Sequence, residues 1–211
     1  MPYIHEVRNT LSIIGLVLIV SLDASAQKPP RVEFFGGYSY FRVRGSATVQ
    51  SFLPNANAAP GALLLIPALG LNGWAGAVSL NANKWLGVTA DMSGSYGTPA
   101  RMIGGMPVTI GMHEYNYLAG PCFSLRDGRW RIYAHALAGE AHASVLVGGA
   151  EILQPLSVTQ THFTMAFGGG VDLRLHGRFA LRLAQADWVR TRFLGGRQEN
   201  MRIAAGLVFG L

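Results

Sequence analysis

Residues 167–183 read FGGGVDLRLHGRFALRL, and the direction in which this stretch points its charges decides the fold. Asp172, Arg174 and Arg182 alternate with apolar neighbours, which is the two-residue period of a β-strand. In a soluble strand these charges face water, whereas in a strand that contacts lipid they face inward. The three consecutive glycines allow a third interpretation, a loop that cradles phosphate.

The composition disfavours a soluble β protein. Charged residues make up 13% of the 211 residues, about half the usual share of a soluble domain, and apolar residues make up 50%. Lys28 and Lys84 are the two lysines among 17 basic residues. Because soluble β proteins cover their outer faces and sheet edges with Lys and Glu, this chain has too few charges to keep eight strands in water.

The start of the chain predicts an export signal over residues 1–26, followed by one domain over 27–211. Arg8 precedes the apolar run LSIIGLVLIVSL at 11–22, and ASA at 24–26 fits a cleavage site. The alternative is an uncleaved anchor, but the run is short for a span of about 20 residues. The single cysteine, Cys122, excludes an internal disulfide and a CxxC metal site.

Eight later segments alternate with period two or read as strands interrupted by glycine. The connections after the second, fourth and sixth are tight, whereas those at 44–70, 98–108 and 145–160 are long and 194–199 is intermediate. This asymmetry is typical of barrels with short periplasmic turns and longer outer loops. The sequence therefore predicts an all-β, eight-stranded antiparallel up-and-down transmembrane barrel with strands at roughly 31–43, 71–83, 86–97, 109–125, 130–144, 161–175, 179–193 and 200–211.

The two faces of the segments differ. One face carries large apolar side chains, and the other carries mostly Gly, Ala, Ser and Thr with a few charges, which suits the crowded inside of a narrow barrel. A closed barrel also satisfies every backbone group in lipid. Trp85, Trp130, Phe179 and Phe209 fall near the tight turns, and six further aromatic residues fall near the long loops, as two interfacial belts require: Tyr40, Trp74, Tyr96, Tyr115, Tyr117 and Trp188.

The seventh segment does not keep one phase, because Gln185 and Asp187 share the parity of Leu181 and Leu183. We expect either a β-bulge near 184–186 or a position of Asp187 above the lipid. A soluble barrel of the lipocalin type remains an alternative, which membrane fractionation distinguishes.

The inward charges predict a network that fills the lumen. A buried charge must be paired, and Arg can serve two carboxylates at once. A small pore is the alternative, and it requires interior polar groups without counter-charges. The predicted network comprises four arginines and five carboxylates: Glu33, Asp91, Glu114, Arg131, Asp172, Arg174, Arg182, Asp187 and Arg202.

Few residues suggest catalysis. FGGG at 167–170 lacks the Lys-Ser/Thr of a phosphate loop, so barrel packing is the favoured interpretation, and the histidines lack metal-ligand spacing. His142 and Ser144, with Glu140 and Glu151 nearby, resemble the H-x-S pair of outer-membrane lipid A deacylases in spacing alone. A polar strand end is the favoured interpretation of these residues. We therefore expect no catalytic, cofactor-binding or metal site.

The arginines near the long loops form the other candidate site. Arg42, Arg44, Arg190 and Arg192 fall at this end of the predicted strands. Arginine binds phosphate in a bidentate manner, so these side chains are candidates for contacts with lipopolysaccharide. A solvated rim is the alternative interpretation.

The chain resembles the bacterial outer membrane protein β-barrel domain family, which includes the transmembrane domain of outer membrane protein A. Stretches that carry the resemblance include VEFFGGYSYFRV, YNYLAGPCFSL, MAFGGGVDLRL and ALRLAQADW. The resemblance implies a monomer in the bacterial outer membrane with a structural or surface-interaction role through loops 44–70 and 145–160. Implied partners are lipid, lipopolysaccharide and the assembly machinery, with no nucleic acid. The family's C-terminal assembly signal maps to Gly206, Phe209 and Leu211, although Leu replaces the usual final Phe.

Overall fold

The computed structural model describes residues 30–44, 69–103, 106–149, 156–193 and 196–211. The predicted export signal and residues 45–68 of the first long loop lie outside the described residues. Within the described ranges, no helix is long and apolar enough to cross a membrane. The strands are β1 (Val32–Val43), β2 (Leu69–Asn81), β3 (Leu86–Gly97), β4 (Ala100–Ile103), β5 (Met106–Asp127), β6 (Trp130–Gly149), β7 (Leu156–His176), β8 (Phe179–Phe193) and β9 (Gly196–Gly210).

Eight of these strands close into a barrel. Neighbouring strands pair antiparallel in the order β3-β2-β1-β9-β8-β7-β6-β5-β4, and β3 also pairs with β5, which closes the circle and leaves β4 outside it. Following paired residues once around from Glu114 returns to β5 at Ser124, ten residues further along. This stagger goes with strongly tilted strands and a lumen that side chains can fill. The predicted eight-stranded barrel is confirmed.

The outer wall of the barrel is apolar. Successive residues alternate between buried and exposed, and exposed side chains include Trp74, Val88, Ile132 and Leu207. We call the end with the tight turns the turn end and the opposite end the loop end. Exposed aromatic side chains occur at both ends, as the two belts at a membrane interface require: Trp85, Trp130 and Phe179 at the turn end, and Tyr40, Trp74, Tyr117 and Trp188 at the loop end.

A β-bulge resets the phase of β8. The pairing of β8 with β9 shifts between Arg182 and Gln185, so Leu183 and Ala184 both face outward. Gln185 and Asp187 are consequently buried together with Arg182. The bulge lies within one residue of the predicted position, and it explains how β8 places three polar side chains in the lumen.

Two of the three tight turns depend on glycine. Gly128 and Gly177 have φ angles of 54° and 56°, in the left-handed region. In the third turn, the Asn83 side-chain oxygen accepts hydrogen bonds from the backbone N–H groups of Trp85 and Leu86 at 2.9 and 2.8 Å. These contacts fix the hairpins at the turn end.

Replacing Gly128 by alanine is expected to lower the free energy of unfolding by about 1 kcal/mol, because a Cβ is disfavoured in the left-handed region. Asparagine visits this region more readily, so Gly128→Asn serves as the matched control and should lose less. Urea unfolding in detergent micelles measures both variants. Equal losses for the two would contradict a conformational cause.

The loop end differs from the sequence-based expectation. The predicted loop 98–108 contains β4 and the start of β5. Within the predicted loop 145–160, β6 extends to Gly149 and β7 begins at Leu156, and β9 begins at Gly196 within 194–199. Strands β5, β6 and β7 contain 22, 20 and 21 residues, about twice the 9–11 that a membrane span requires. Their loop-end parts and β4 therefore stand above the barrel as a raised wall, which comprises residues 100–103, 106–111, 146–149 and 156–157.

Candidate functional site: the lumen and the loop-end rim

The turn end of the lumen is closed by a chain of ion pairs. Arg131 Nη1 lies 2.9 Å from both Glu33 Oε2 and Asp172 Oδ2 and so joins β1 to β7 through β6. Arg126 Nη2 donates to Glu33 Oε1 at 3.1 Å, and Arg131 Nε donates to Ser124 Oγ at 3.1 Å. Four strands are thereby linked across the lumen.

The centre of the lumen is occupied by Arg182 and its partners. Its Nε donates to Asp172 Oδ1 at 2.9 Å and its Nη1 to Gln185 Oε1 at 2.7 Å. The guanidinium carbon also lies 4.1 Å from the centre of the Phe35 ring, which gives this cation a face-on aromatic contact. Gln185 Nε2 donates a hydrogen bond to Asp187 Oδ2 at 2.8 Å, which extends the network along β8.

Arg202 completes the network from the last strand. Its Nη1 lies 2.6 Å from Asp91 Oδ1, and its Nη2 lies 2.7 Å from Asp187 Oδ2. His135 Nε2 lies 2.8 Å from Asp187 Oδ1 on the other side. The ion pairs described here join four arginines to four carboxylates, namely Arg126, Arg131, Arg182 and Arg202 to Glu33, Asp91, Asp172 and Asp187.

The predicted network residues do not all lie in this cluster. Glu114 is buried, but its Oε1 accepts from Asn116 Nδ2 at 3.2 Å and lies nearer the loop end. Arg174 is only half-buried and lies beside a turn, where its backbone N–H donates to the Arg129 carbonyl at 2.7 Å. The other seven predicted residues take part in the ion pairs described above.

Two members of the network, Arg126 and His135, are not among the residues predicted from the sequence. Arg126 precedes the Asp-Gly turn, a position typical of a solvated turn residue, but its long side chain reaches Glu33. His135 shares a face with Arg131 and also with Leu137, so the alternation of β6 gave no clear direction. The contact between His135 and Asp187 could have been predicted from the strand order. Both residues lie on inward positions, and their strands β6 and β8 are separated only by β7.

The loop-end half of the lumen contains a cluster of large apolar side chains beside buried polar residues such as Glu114 and Asn116, contrary to the expected small and polar inner face. Phe41 and Leu71 are completely buried there. We call the cluster the apolar plug, and it comprises Phe41, Val43, Leu69, Leu71, Met112, Leu118, Leu137, Ala143, Val145, Ala166 and Val189. The reason is geometric: the barrel must be filled by packed side chains, and large apolar groups fill it as well as charges do.

The H-x-S pair lies on the outer wall of β6, near the raised wall. His142 Nδ1 lies 2.7 Å from Thr161 Oγ1, and Ser144 Oγ accepts a hydrogen bond from Thr159 Oγ1 at 3.2 Å. The serine is thus engaged by a neighbouring hydroxyl. Glu151 lies outside the described residues.

The loop-end arginines also lie on the outer wall. Arg42 and Arg44 are exposed and Arg190 is half-buried, whereas the side chain of Arg192 lies outside the described residues. Among the described side chains, no group of three or more His, Cys, Asp or Glu could hold a metal ion.

The residues of the suggested assembly signal lie in β9 and just after it. Gly206 faces Gly37 across the seam between β9 and β1, and Leu211 is exposed. The Phe209 ring centre lies 5.1 Å from that of Phe179 in the turn-end belt.

Comparison with known proteins rests on structure, since no family model and no curated protein matches the chain. Ail, the attachment invasion locus protein of Yersinia pestis, is 16% identical with a TM-score of 0.54, over 86% of this chain and 99% of that chain. Neisserial surface protein A is 11% identical with a TM-score of 0.61, over 88% and 100%. The chain has the fold of a small outer-membrane β-barrel. The resemblance inferred from the sequence is confirmed at the level of the fold.

A second structure of Ail was solved in complex with the heparin analogue sucrose octasulfate. It is 15% identical with a TM-score of 0.53, over 87% of this barrel and 100% of that chain. Identities this low establish a shared fold, and a fold by itself does not assign a function.

Proposed function

We propose that this protein is a sealed, non-catalytic barrel of the bacterial outer membrane with a structural or surface-interaction role. The observation that carries the proposal is the closure of the lumen by two layers in series. The charge network closes the turn end, and the apolar plug closes the loop end. With the lumen filled, the loop-end face is the part that remains for interactions with partners.

The charge balance of the network supports a sealed lumen over a pore. A pore needs polar groups that are free to solvate passing ions, but the four network arginines have carboxylates within 3.1 Å. An apolar constriction additionally excludes ions by dewetting. The side chains of Phe41, Leu71 and Leu137 are fully or almost fully buried, so they pack tightly against their neighbours at this level.

The raised wall supports a role at the cell surface. It projects beyond the length that lipid requires, so its strands face the aqueous side of the membrane. The shared fold with Ail, an attachment and invasion protein, is compatible with such a role. We further propose that the barrel is monomeric and that Gly206, Phe209 and Leu211 are recognised by the assembly machinery.

The surroundings of the H-x-S pair support the absence of catalysis. A serine nucleophile needs a base within hydrogen-bond reach and a third group that orients the base. Here His142 contacts the Thr161 hydroxyl, and the Ser144 hydroxyl is bonded to Thr159. This arrangement fits a polar strand end above the lipid.

Conductance tests the proposal directly. The purified barrel, inserted into planar lipid bilayers in 1 M salt, is expected to give no stable current steps because both layers of the lumen exclude ions. A porin added afterwards to the same bilayer serves as the control for insertion conditions. Reproducible steps from the barrel itself would overturn the sealed-lumen proposal.

A further inference from the structure

We propose that the outer wall of β7, β8 and β9 carries a binding site for a phosphorylated, acylated lipid of the outer leaflet. This inference rests on the proposed membrane location and identifies one partner of the loop-end face. The site combines an apolar groove with a rim of arginines above it.

The groove lies beside a ladder, a row of large side chains that pair across three strands, next to a position with a small side chain. Phe167 pairs with Trp188, and Trp188 pairs with Met201, so three large side chains lie in a row across the three strands. The rings of Phe167 and Trp188 lie 6.0 Å apart between their centres. Ala186 faces outward on β8 next to this row, and it lines a half-open groove of about 450 Å³ together with the three ladder residues. A groove of this shape and size accepts part of an acyl chain.

The arginine rim lies directly above the groove, toward the loop end. Arg190 pairs with Glu199 in the row above the ladder, and Arg42 pairs with Met201 at the end of the ladder itself. Arg44 also lines the groove, and its backbone N–H donates to Asn200 Oδ1 at 3.2 Å, which fixes the end of β1 beside β9. Among the side chains that the structure describes at this rim, three cations face the carboxylate of Glu199, so the rim is positively charged.

The two parts match one class of ligand. Trp188 belongs to the aromatic belt at the loop end, so the arginines just beyond it lie at the level of lipid headgroups. Long arginine side chains bury their stems in apolar surface and extend the charged group toward phosphate, which they bind in a bidentate manner. A neutral lipid would offer no negative charge to the three arginines, and a soluble phosphate has no acyl chain to occupy the groove. The combination therefore points to an anionic lipid.

Two variants separate the parts of the site. Ala186→Leu fills the groove without changing the charge, and the double variant R44Q/R190Q removes two cations without filling the groove. Arg178→Gln is the matched control, because Arg178 is an exposed arginine at the turn end. Each variant is first checked for the compact, heat-modifiable band of a folded barrel.

Binding is measured by native mass spectrometry of the folded barrel titrated with bis-phosphorylated lipid A and with its dephosphorylated form. We expect R44Q/R190Q to bind bis-phosphorylated lipid A at least about tenfold more weakly, since a charge-assisted hydrogen bond contributes about 1.5–3 kcal/mol. Ala186→Leu should also bind it more weakly, because the acyl chain can no longer enter the groove. Arg178→Gln should bind like the unmodified barrel, and dephosphorylated lipid A should bind it as weakly as R44Q/R190Q binds the phosphorylated form.

Two results would overturn the inference. Unchanged binding by Ala186→Leu would show that attraction to the arginines alone accounts for any association. An equal loss in Arg178→Gln would show that the position of the arginines is irrelevant. A barrel that conducts but still shows the expected pattern would refute the sealed lumen and leave this site intact.

Discussion

Replacing Arg202 by methionine is expected to lower the free energy of unfolding by about 3–5 kcal/mol, the loss typical when one partner of a buried ion pair is removed. Arg202 is 1% exposed and lies between Asp91 and Asp187. Methionine keeps most of the volume but leaves both carboxylates without this cation. Urea unfolding in detergent, followed by tryptophan fluorescence, measures the change.

The double variant R202M/D91N is the matched control. It removes the carboxylate that depends on Arg202 most, while Asp187 keeps its contacts to His135 and Gln185. We therefore expect the double variant to recover part of the stability that Arg202→Met loses, because the stability effects of substitutions at contacting residues are not additive. A double variant that is less stable than the single one would contradict the pairing described for the lumen.

Replacing Gly206 by valine is expected to abolish the folded barrel. A Cβ at this position would lie 2.3 Å from the Gly36 carbonyl oxygen and 2.5 Å from the Gly37 Cα. Both atoms belong to the backbone of β1, which pairs with β9 to close the barrel, so neither can rotate away. Overpacking against a rigid neighbour costs on the order of 3 kcal/mol or more. The measurement is the loss of the heat-modifiable band after assembly into membranes.

Gly36→Ala provides the control at the same seam. A Cβ on Gly36 meets nothing within 4 Å because this residue faces outward, so the variant should fold like the unmodified chain. If Gly36→Ala failed to fold as Gly206→Val does, a general sensitivity of β1 would replace the close approach as the cause. Normal folding of Gly206→Val would contradict the seam geometry itself.

Sequence reasoning succeeded where lipid imposes a rule. A strand in lipid must alternate, so Asp172, Arg182 and Arg202 could be assigned to the interior from parity alone, and the broken parity at Gln185 revealed the bulge. The same rule located the eight strands of the barrel.

Strand alternation predicts the structure less well in two places. Above the membrane, strands need no apolar face, so β4 and the loop-end parts of β6 and β7 resembled loops in the sequence. Inside the lumen, packing alone decides, and Phe41, Leu71 and Leu137 fill space there although their side chains would be equally suited to lipid. The outer-wall site also depends on register, since Arg190 and Arg44 are far apart in sequence.

The position of Arg202 on the last strand has a consequence for biosynthesis. Asp91 and Arg202 are separated by 111 residues, and β9 also supplies the pairing partner of β1. Until this strand is made, the earlier part of the chain carries two carboxylates that lack their main cation and two sheet edges that lack a partner. A chain that terminates early is therefore left with an open sheet and unpaired charges, and only a product that contains β9 can close into the barrel.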